Sequence, residues 1–518
     1  MSRNRINHDR RTFLKWAAGL GLTAIAGNTV KAVADSKEER DEKSPLLDRD
    51  DVYHTHVTEL ASMQAQLNRV EQLGDPEVLY NPALTRHLDE NPEKDSFHLY
   101  VITIGEESVV QEKRGPERMI HGWRPRESEV DHLSDYGEIG FVPRFIATKV
   151  YLRDVKRSNI PKLAELPFVL EINWVPPLGE ESSDYDYSCF ARSDNLDEGV
   201  HVDDLRSSNY FKFDEVNRNE DWLFKVGIAD TGYAGHGHSL FAESYAEEIG
   251  LDEELAKNFT EGAVMDGPDW RNPSNSCHGD DVADMCAYML QHGHDELFVP
   301  LKVKHTSQSP SETAEYLSEA IEYAEEHHID ILNMSLGIED PLSYCPSTFC
   351  EELKSYTEAG HFPVASTGNQ ERTDAVTFPG GEWFTIGIGG VFGSCEGGDY
   401  QIHYESNRGT ITFETSDETH CHWCATAVGS YSSHFSPQAH GCYSTETDSN
   451  EDENVLSGTS YAAAQASAVA LVMRSNYLLD YEEALSNFKE MESKWLCPIT
   501  DARHGQLIDA ELADDQTS

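Results

Sequence analysis

The chain has 518 residues, with 93 acidic against 40 basic side chains and a formal net charge of −53. That length exceeds one small domain and allows two folded units plus flanks, with enough chain to bury a large core without help from disulfides. The acids are spread along the whole sequence and no basic patch stands against them, which counts against nucleic-acid binding; a distributed acidic surface stays solvated where salt screens its self-repulsion, so the reading is a halophilic protein.

In chain order, the first feature is an address. Arg10-Arg11-Thr12-Phe13-Leu14-Lys15 is a twin-arginine pattern, followed by an apolar stretch over residues 16–27 and by Ala32-Val33-Ala34, an A-x-A cleavage site. Residues 1–34 therefore read as an export signal whose apolar part is too short for a lasting anchor. No later segment is long and apolar enough to span a bilayer, and no cysteine in the signal is there to take a lipid. The expectation is an extracellular protein exported folded, with no permanent membrane anchor. Ten cysteines suit that destination, because disulfides persist outside the cell, although spacing alone does not give their connectivity.

Residues 35–95 are polar, with one helical pattern near 57–70, and read as a lead segment. Residues 97–104 alternate and carry Tyr100, Val101 and Ile102, a strand by composition. Residues 145–152 predict another strand, 160–166 a helix with Pro161 tolerated in its first turn, and 168–175 a further strand. Residues 96–180 thus form a small α+β domain. The acidic, glycine- and serine-containing stretch over 181–199 predicts a linker or processing zone.

The second domain covers 200–518. Short apolar runs at 224–229, 297–303, 329–333, 362–366 and 384–388 alternate with amphipathic patterns, among them Val282, Met285, Met289 and Leu290, then Leu317, Ala320, Ile321 and Ala324. This predicts an α/β fold, a three-layer doubly wound sheet of mostly parallel strands. A surface helix is expected over 481–494.

Chemistry gathers where such strands end. Leu456-Ser-Gly-Thr-Ser460-Tyr-Ala-Ala-Ala464 sets Gly458 as a tight turn before a run of small apolar residues that reads as a buried helix. A serine at that helix start lies near unpaired backbone N–H groups and the positive end of the dipole, a place suited to a nucleophile whose reaction puts negative charge on oxygen. An ordinary serine cap has the same local pattern. Asp230 ends the first strand of the second domain and is able to hold an imidazole, or merely to cap a turn before Gly232. His278 opens a helix and suits a general base, or a structural histidine.

The order Asp230, His278, Ser460 is that of subtilisin, and the chain resembles the subtilisin-like serine proteases, the subtilases. The resemblance rests on Val226-Gly-Ile-Ala-Asp230-Thr-Gly232, His278-Gly-Asp-Asp-Val-Ala-Asp284, Asn333-Met-Ser-Leu-Gly337, Val364-Ala-Ser-Thr-Gly-Asn369 and Gly458-Thr-Ser460-Tyr-Ala-Ala463. It implies Ser460 as nucleophile, His278 as base and then acid, and Asp230 as its orienter. It also implies Asn369 as oxyanion donor together with the Ser460 N–H, and Ser335, Leu336 and Gly337 as the backbone that receives an extended peptide. It further implies a propeptide in the first domain, with cleavage between about residues 179 and 200, and hence a secreted, monomeric, haloarchaeal-type precursor acting on protein or peptide substrates.

The sequence departs from the family's pattern at Asp280, where threonine is usual, at Asp284, where glycine is usual, and at Tyr461 and Ala464, where methionine and proline are usual. These departures keep open a non-catalytic binding protein of the same fold. They also leave two extra carboxylates able to raise the pKa of His278. His420, Cys421, His422 and Cys424, with His440 and Cys442, form a weak zinc pattern, for which disulfides are the favoured reading; His236 and His238 read as a polar loop. Catalysis calls for no cofactor and no metal ligand. Structural calcium accords with the resemblance, but no Asp-rich loop of ligand spacing is present.

Overall fold

The computed structural model describes residues 82–113, 119–175, 178–180, 224–233, 251–252, 254–260, 278–290, 298–304, 310–338, 349–370, 377–380, 385–392, 401–402, 406–407, 438–440, 442–445 and 454–477. The signal sequence, the helical pattern near 57–70, the 181–199 zone, His236, His238, the 420–424 cluster and the expected helix at 481–494 lie outside them. The chain divides into two compact units.

The described part of the first unit holds β1 (Ser96–Thr103), β2 (Glu106–Gln111), β3 (Met119–Arg124), β4 (Glu138–Ile139), β5 (Lys149–Lys156) and β6 (Val169–Trp174). Its helices are α1 (Pro82–Glu90), α2 (Glu127–Leu133) and α3 (Ile160–Ala164). The antiparallel sheet runs β4-β5-β1-β6, and β2 and β3 form a separate hairpin. Alternation puts Leu99 and Val101 on one face of β1, where they join Val150, Leu152, Ile172 and Leu163 in a closed apolar core. Two boundaries differ from expectation. The strand foreseen at 145–152 begins at Lys149, with residues 145–148 running ahead of it in irregular backbone. The polar lead segment foreseen to residue 95 contains α1, whose Leu84 is buried in this core.

The second unit is built on an eight-stranded sheet. Its strands in the order of the chain are β8 (Val226–Asp230), β9 (Lys257–Asn258), β10 (Phe298–Lys302), β11 (Ile331–Met334), β13 (Phe362–Ser366), β14 (Ile386–Phe392), β15 (Gln401–Ile402) and β16 (Gln438–His440). Between β11 and β13 falls the short β12 (Leu336–Ile338), paired with β7 (Leu178–Glu180), and β17 (Cys442–Thr445) pairs with β18 (Asn454–Ser457). The sheet order is β15-β14-β13-β11-β8-β10-β9, with β16 on β14, and only β15 is antiparallel to its neighbour. Every residue of β8, β10, β11 and β13 is buried, which is why these strands read as unbroken apolar runs rather than as alternation.

The helices are α4 (His278–Leu290), α5 (Pro310–Glu326), α6 (Cys350–Glu358) and α7 (Thr459–Tyr477). In chain order β8 is followed by β9, α4 leads from β9 to β10, and α5 leads from β10 to β11. α4 packs against α7 and α5 against α6, and helices flank the sheet in the three layers expected from the sequence. The residues Ala462, Ala463, Ala464, Ala466 and Ala468 of α7 are fully buried. A helix of such small side chains can lie close against both the sheet and α4. No described helix is long and apolar enough to cross a membrane.

Cys286 in α4 is a buried free thiol, pushed towards its protonated form by loss of solvent. The ten cysteines therefore do not all pair. The side chains of the others lie outside the described residues.

A buried ion pair ties the start of this sheet together. Lys225 Nζ lies 2.8 Å from Asp252 Oδ2, and the Lys225 N–H donates to Asp330 Oδ2 at 3.2 Å. Removing one partner strands a charge away from water. Lys225→Ala is expected to cost about 3–5 kcal/mol, whereas replacing Lys225 and Asp252 together by Met and Leu costs far less. Denaturant unfolding of the three proteins at one salt concentration measures the difference.

Candidate active site

Parallel strands bring their carboxyl ends to one edge. β8 ends in Asp230, β11 runs on into Ser335, and β13 runs on into Asn369. The amino ends of α4 and α7 meet the same edge and carry His278 and Ser460.

Asp230 is completely buried, and its Oδ1 accepts the Thr231 N–H at 2.7 Å. Its carboxylate also faces His278, with Nδ1 at 2.8 Å from Oδ1 and 3.0 Å from Oδ2. The opposite ring nitrogen, Nε2, is 3.1 Å from Ser460 Oγ. A carboxylate can only accept, so it selects the tautomer with the proton on Nδ1. That leaves Nε2 to accept from the hydroxyl.

Local backbone makes this approach possible. The Gly279 N–H donates to Thr231 Oγ1 at 3.1 Å, and a Cβ on Gly279 would come within 2.4 Å of the Gly232 carbonyl oxygen. Glycine is therefore required where α4 starts against the end of β8. Gly458, at φ +135°, makes the turn from β18 into α7 in a conformation other residues avoid. Tyr461, next to the serine and buried, stands with its ring centroid 6.2 Å from that of His278.

Asn369 is held by its carbonyl end. Its Oδ1 accepts from both the N–H and the hydroxyl of Thr459, each at 2.9 Å, and Thr459 Oγ1 in turn accepts the Gly368 N–H at 3.1 Å. The amide's NH₂ is thereby set at the opposite end. Ser335 is buried with its hydroxyl 3.0 Å from Asn333 Oδ1 and 3.1 Å from the Ser460 carbonyl oxygen. Asn333 donates to Ser467 Oγ at 3.0 Å, which anchors β11 to α7 behind the serine. Leu336 and Gly337 lie in β12, where Leu336 faces Glu180 and Gly337 faces Gly179 in antiparallel register.

The structure thus brings Asp230, His278 and Ser460 into direct contact, joins Asn369 to the same helix start through Thr459, and sets Ser335 against the Ser460 backbone. Thr459 and Asp281 had not been singled out from sequence. Thr459 looks like any residue of a helix start, and Asp281 like any acid in a first turn. Of the two expected extra carboxylates, Asp280 is buried, and the Asp284 side chain lies outside the described residues.

Asp281 is mostly shielded, one helical turn on from His278. Burial pushes its carboxyl up to about 7 from an ordinary 3.8, with His278 opposing the rise and the charges of Asp280 and Asp230 adding to it. Between those two pH values the folded protein keeps a proton that the unfolded chain has released. Stability from this site is therefore full below about pH 4 and declines as pH climbs to about 7. Asp281→Asn, in a Ser460→Ala background to stop self-digestion, is expected to melt above its parent at pH 8. The gap should close near pH 4, as thermal melts across pH at fixed salt will read. A gap that ignores pH would remove charge burial as its cause.

Known proteins agree with this architecture. The subtilase family profile matches residues 223–488, just over half of the chain. Among solved structures, the chain is similar to the epidermin leader peptide processing serine protease from Staphylococcus aureus, at 11% identity and a TM-score of 0.51 over 82% of this chain and 99% of that one. It is also similar to a serine-to-alanine mutant of that enzyme, at 12% identity and a TM-score of 0.52 over 81% and 99%. Fervidolysin from Fervidobacterium pennivorans, a keratinolytic enzyme related to subtilisin, shares 14% identity at a TM-score of 0.47 over 81% of this chain and 61% of that one. At these identities the likeness to the two structures of the epidermin leader peptide processing protease concerns the fold alone. No curated protein matches the chain. With the family profile spanning the whole sheet and the helices that frame this edge, the chain belongs to the subtilase family and is a serine endopeptidase.

Proposed function

We propose that this chain is a secreted endopeptidase of saline surroundings, made as an inactive precursor, that cleaves peptide bonds through an acyl-enzyme on Ser460. The observation that carries the reading is the unbroken contact from Asp230 through His278 to Ser460. His278 Nε2 takes the hydroxyl proton as Ser460 Oγ bonds to the scissile carbonyl carbon. The Asp230 carboxylate stabilises the imidazolium that results. Asn369 Nδ2 and the Ser460 N–H donate to the oxyanion as it forms. His278 then gives its proton to the leaving amine, the C–N bond breaks, and water, deprotonated by the same imidazole, releases the acyl group.

Three further observations support the rest of the reading. The antiparallel pairing of β7 with β12 puts residues just upstream of the expected processing zone on the backbone that the resemblance assigns to substrate, as a precursor held inactive requires. All reacting groups come from one chain, which suits a monomer. The net charge of −53 and the twin-arginine segment suit export into salt. This chemistry consumes no cofactor. A structural calcium ion would be seen as a melting temperature lowered by EDTA and restored by added calcium.

Casein hydrolysis tests the reading. The full chain is expected to digest casein at molar salt and to lose activity as salt is withdrawn. Ser460→Ala is expected to lose at least about 10⁴-fold in rate while keeping the fold. N-terminal sequencing is expected to find the wild type cut between residues 179 and 200, and Ser460→Ala uncut there. Equal casein hydrolysis by the two folded proteins would remove the serine from its assigned role.

A further inference from the structure

We infer that Asn407, far along the chain from every motif of the site, is a positioning residue for the oxyanion amide of Asn369. The inference rests on the role proposed above for Asn369. Four hydrogen bonds join Asn407 to the loop that carries this amide. The Asn407 N–H donates to the Gly368 carbonyl at 2.8 Å, and Asn407 Oδ1 accepts the Gln370 N–H at 3.0 Å. Asn407 Nδ2 donates to Gln370 Oε1, and the Asn407 carbonyl accepts from Thr367 Oγ1 at 3.2 Å. The residues on both sides of Asn369 are therefore gripped by one buried asparagine.

The grip has a fixed base. Ser406 Oγ accepts the Gly390 N–H at 3.0 Å, which ties the turn to β14 in the central sheet. It is also tightly fitted. Gly368 sits at φ +99°, and a Cβ there would come within 2.4 Å of Asn407 Nδ2. Thr459 holds the carbonyl end of the Asn369 side chain, whereas Asn407 holds the backbone from which that side chain springs. Oxyanion stabilisation depends on donor placement, and a displacement of about 1 Å is enough to cost a large factor in rate. No other group of the site grips both flanks of Asn369 in this way among the described residues.

The test is a double-mutant cycle on the full chain, with fluorescein-labelled casein as substrate and rates normalised to enzyme titrated with a sulfonyl fluoride. Asn407→Ala is expected to lower kcat on the order of tenfold with KM within about twofold of wild type. Asn407→Asp keeps an acceptor for the Gln370 N–H and is expected to restore most of kcat. In an Asn369→Ala background, which by itself lowers kcat by about 10²–10³, Asn407→Ala is expected to add nothing, because two changes acting through one donor do not multiply. If Asn407→Ala does not fold, Gln370→Ala at an exposed position runs the same cycle, with a smaller loss that is again absent in the Asn369→Ala background. Losses that multiply, or that fall on KM alone, overturn the positioning role while leaving the oxyanion assignment standing. Wild-type kcat in Asn369→Ala overturns both together.

Discussion

An imidazole is fixed in the tautomer and orientation that serve as a base towards a hydroxyl when its other nitrogen is held by an acceptor, and this requirement organises the second unit. His278 meets a carboxylate 48 residues before it and a hydroxyl 182 residues after it. No local motif spans such distances. A parallel sheet does, because every strand delivers its carboxyl end, and every returning helix its amino end, to one edge. The doubly wound order, with β8 between β10 and β11, sets Asp230 at the middle of that edge. The two helices that pack against each other across it carry the histidine and the serine.

Short contacts demand small residues where elements cross, and these are the positions where the chain uses them. Gly279 lets α4 begin against the Gly232 carbonyl, and the alanines of α7 let a buried helix lie close to both α4 and the sheet. Several polar groups buried in the process are paired. Asn333 reaches Ser467, Ser335 reaches the Ser460 backbone, and Thr459 satisfies Asn369. Hydrogen bonding inside a water-poor interior is costly to break, so these pairs fix the edge as one rigid body more firmly than apolar packing alone would. Set on such a frame, a serine at the start of α7 keeps its orientation.

Charge acts on two scales. Over the whole chain the acidic excess concerns solvation and self-repulsion, which salt screens. Near His278 the carboxylates are shielded from that salt. Asp281 answers by holding its proton to about pH 7, and Lys225 and Asp252 answer by pairing. The same residue types that keep the surface wet thus become strain or structure once water is withdrawn, and the difference lies in burial rather than in sequence.

The strands at 226–230, 298–302, 331–334 and 362–366 were legible from the chain alone because strands buried on both faces must be continuously apolar, and the helix of α7 because small residues filled every side of it. Asp230 stood out because it ends a strand-like apolar run before a glycine, His278 and Ser460 because each opens a helix near a glycine, and Asn369 through its place in a family motif. The hairpin of β2 and β3, α2, the late start of β5 and the helix α1 did not, since short half-exposed elements leave a weak periodic trace. Nothing near residue 407 or 281 distinguishes those positions locally. Residue type and spacing therefore determined which groups were available and which elements they terminate. Their distances, the tautomer, the grip of Asn407 on the Asn369 loop and the shielding of Asp281 were decided only by tertiary packing, because hydrogen-bond geometry and desolvation depend on neighbours that lie far apart along the chain.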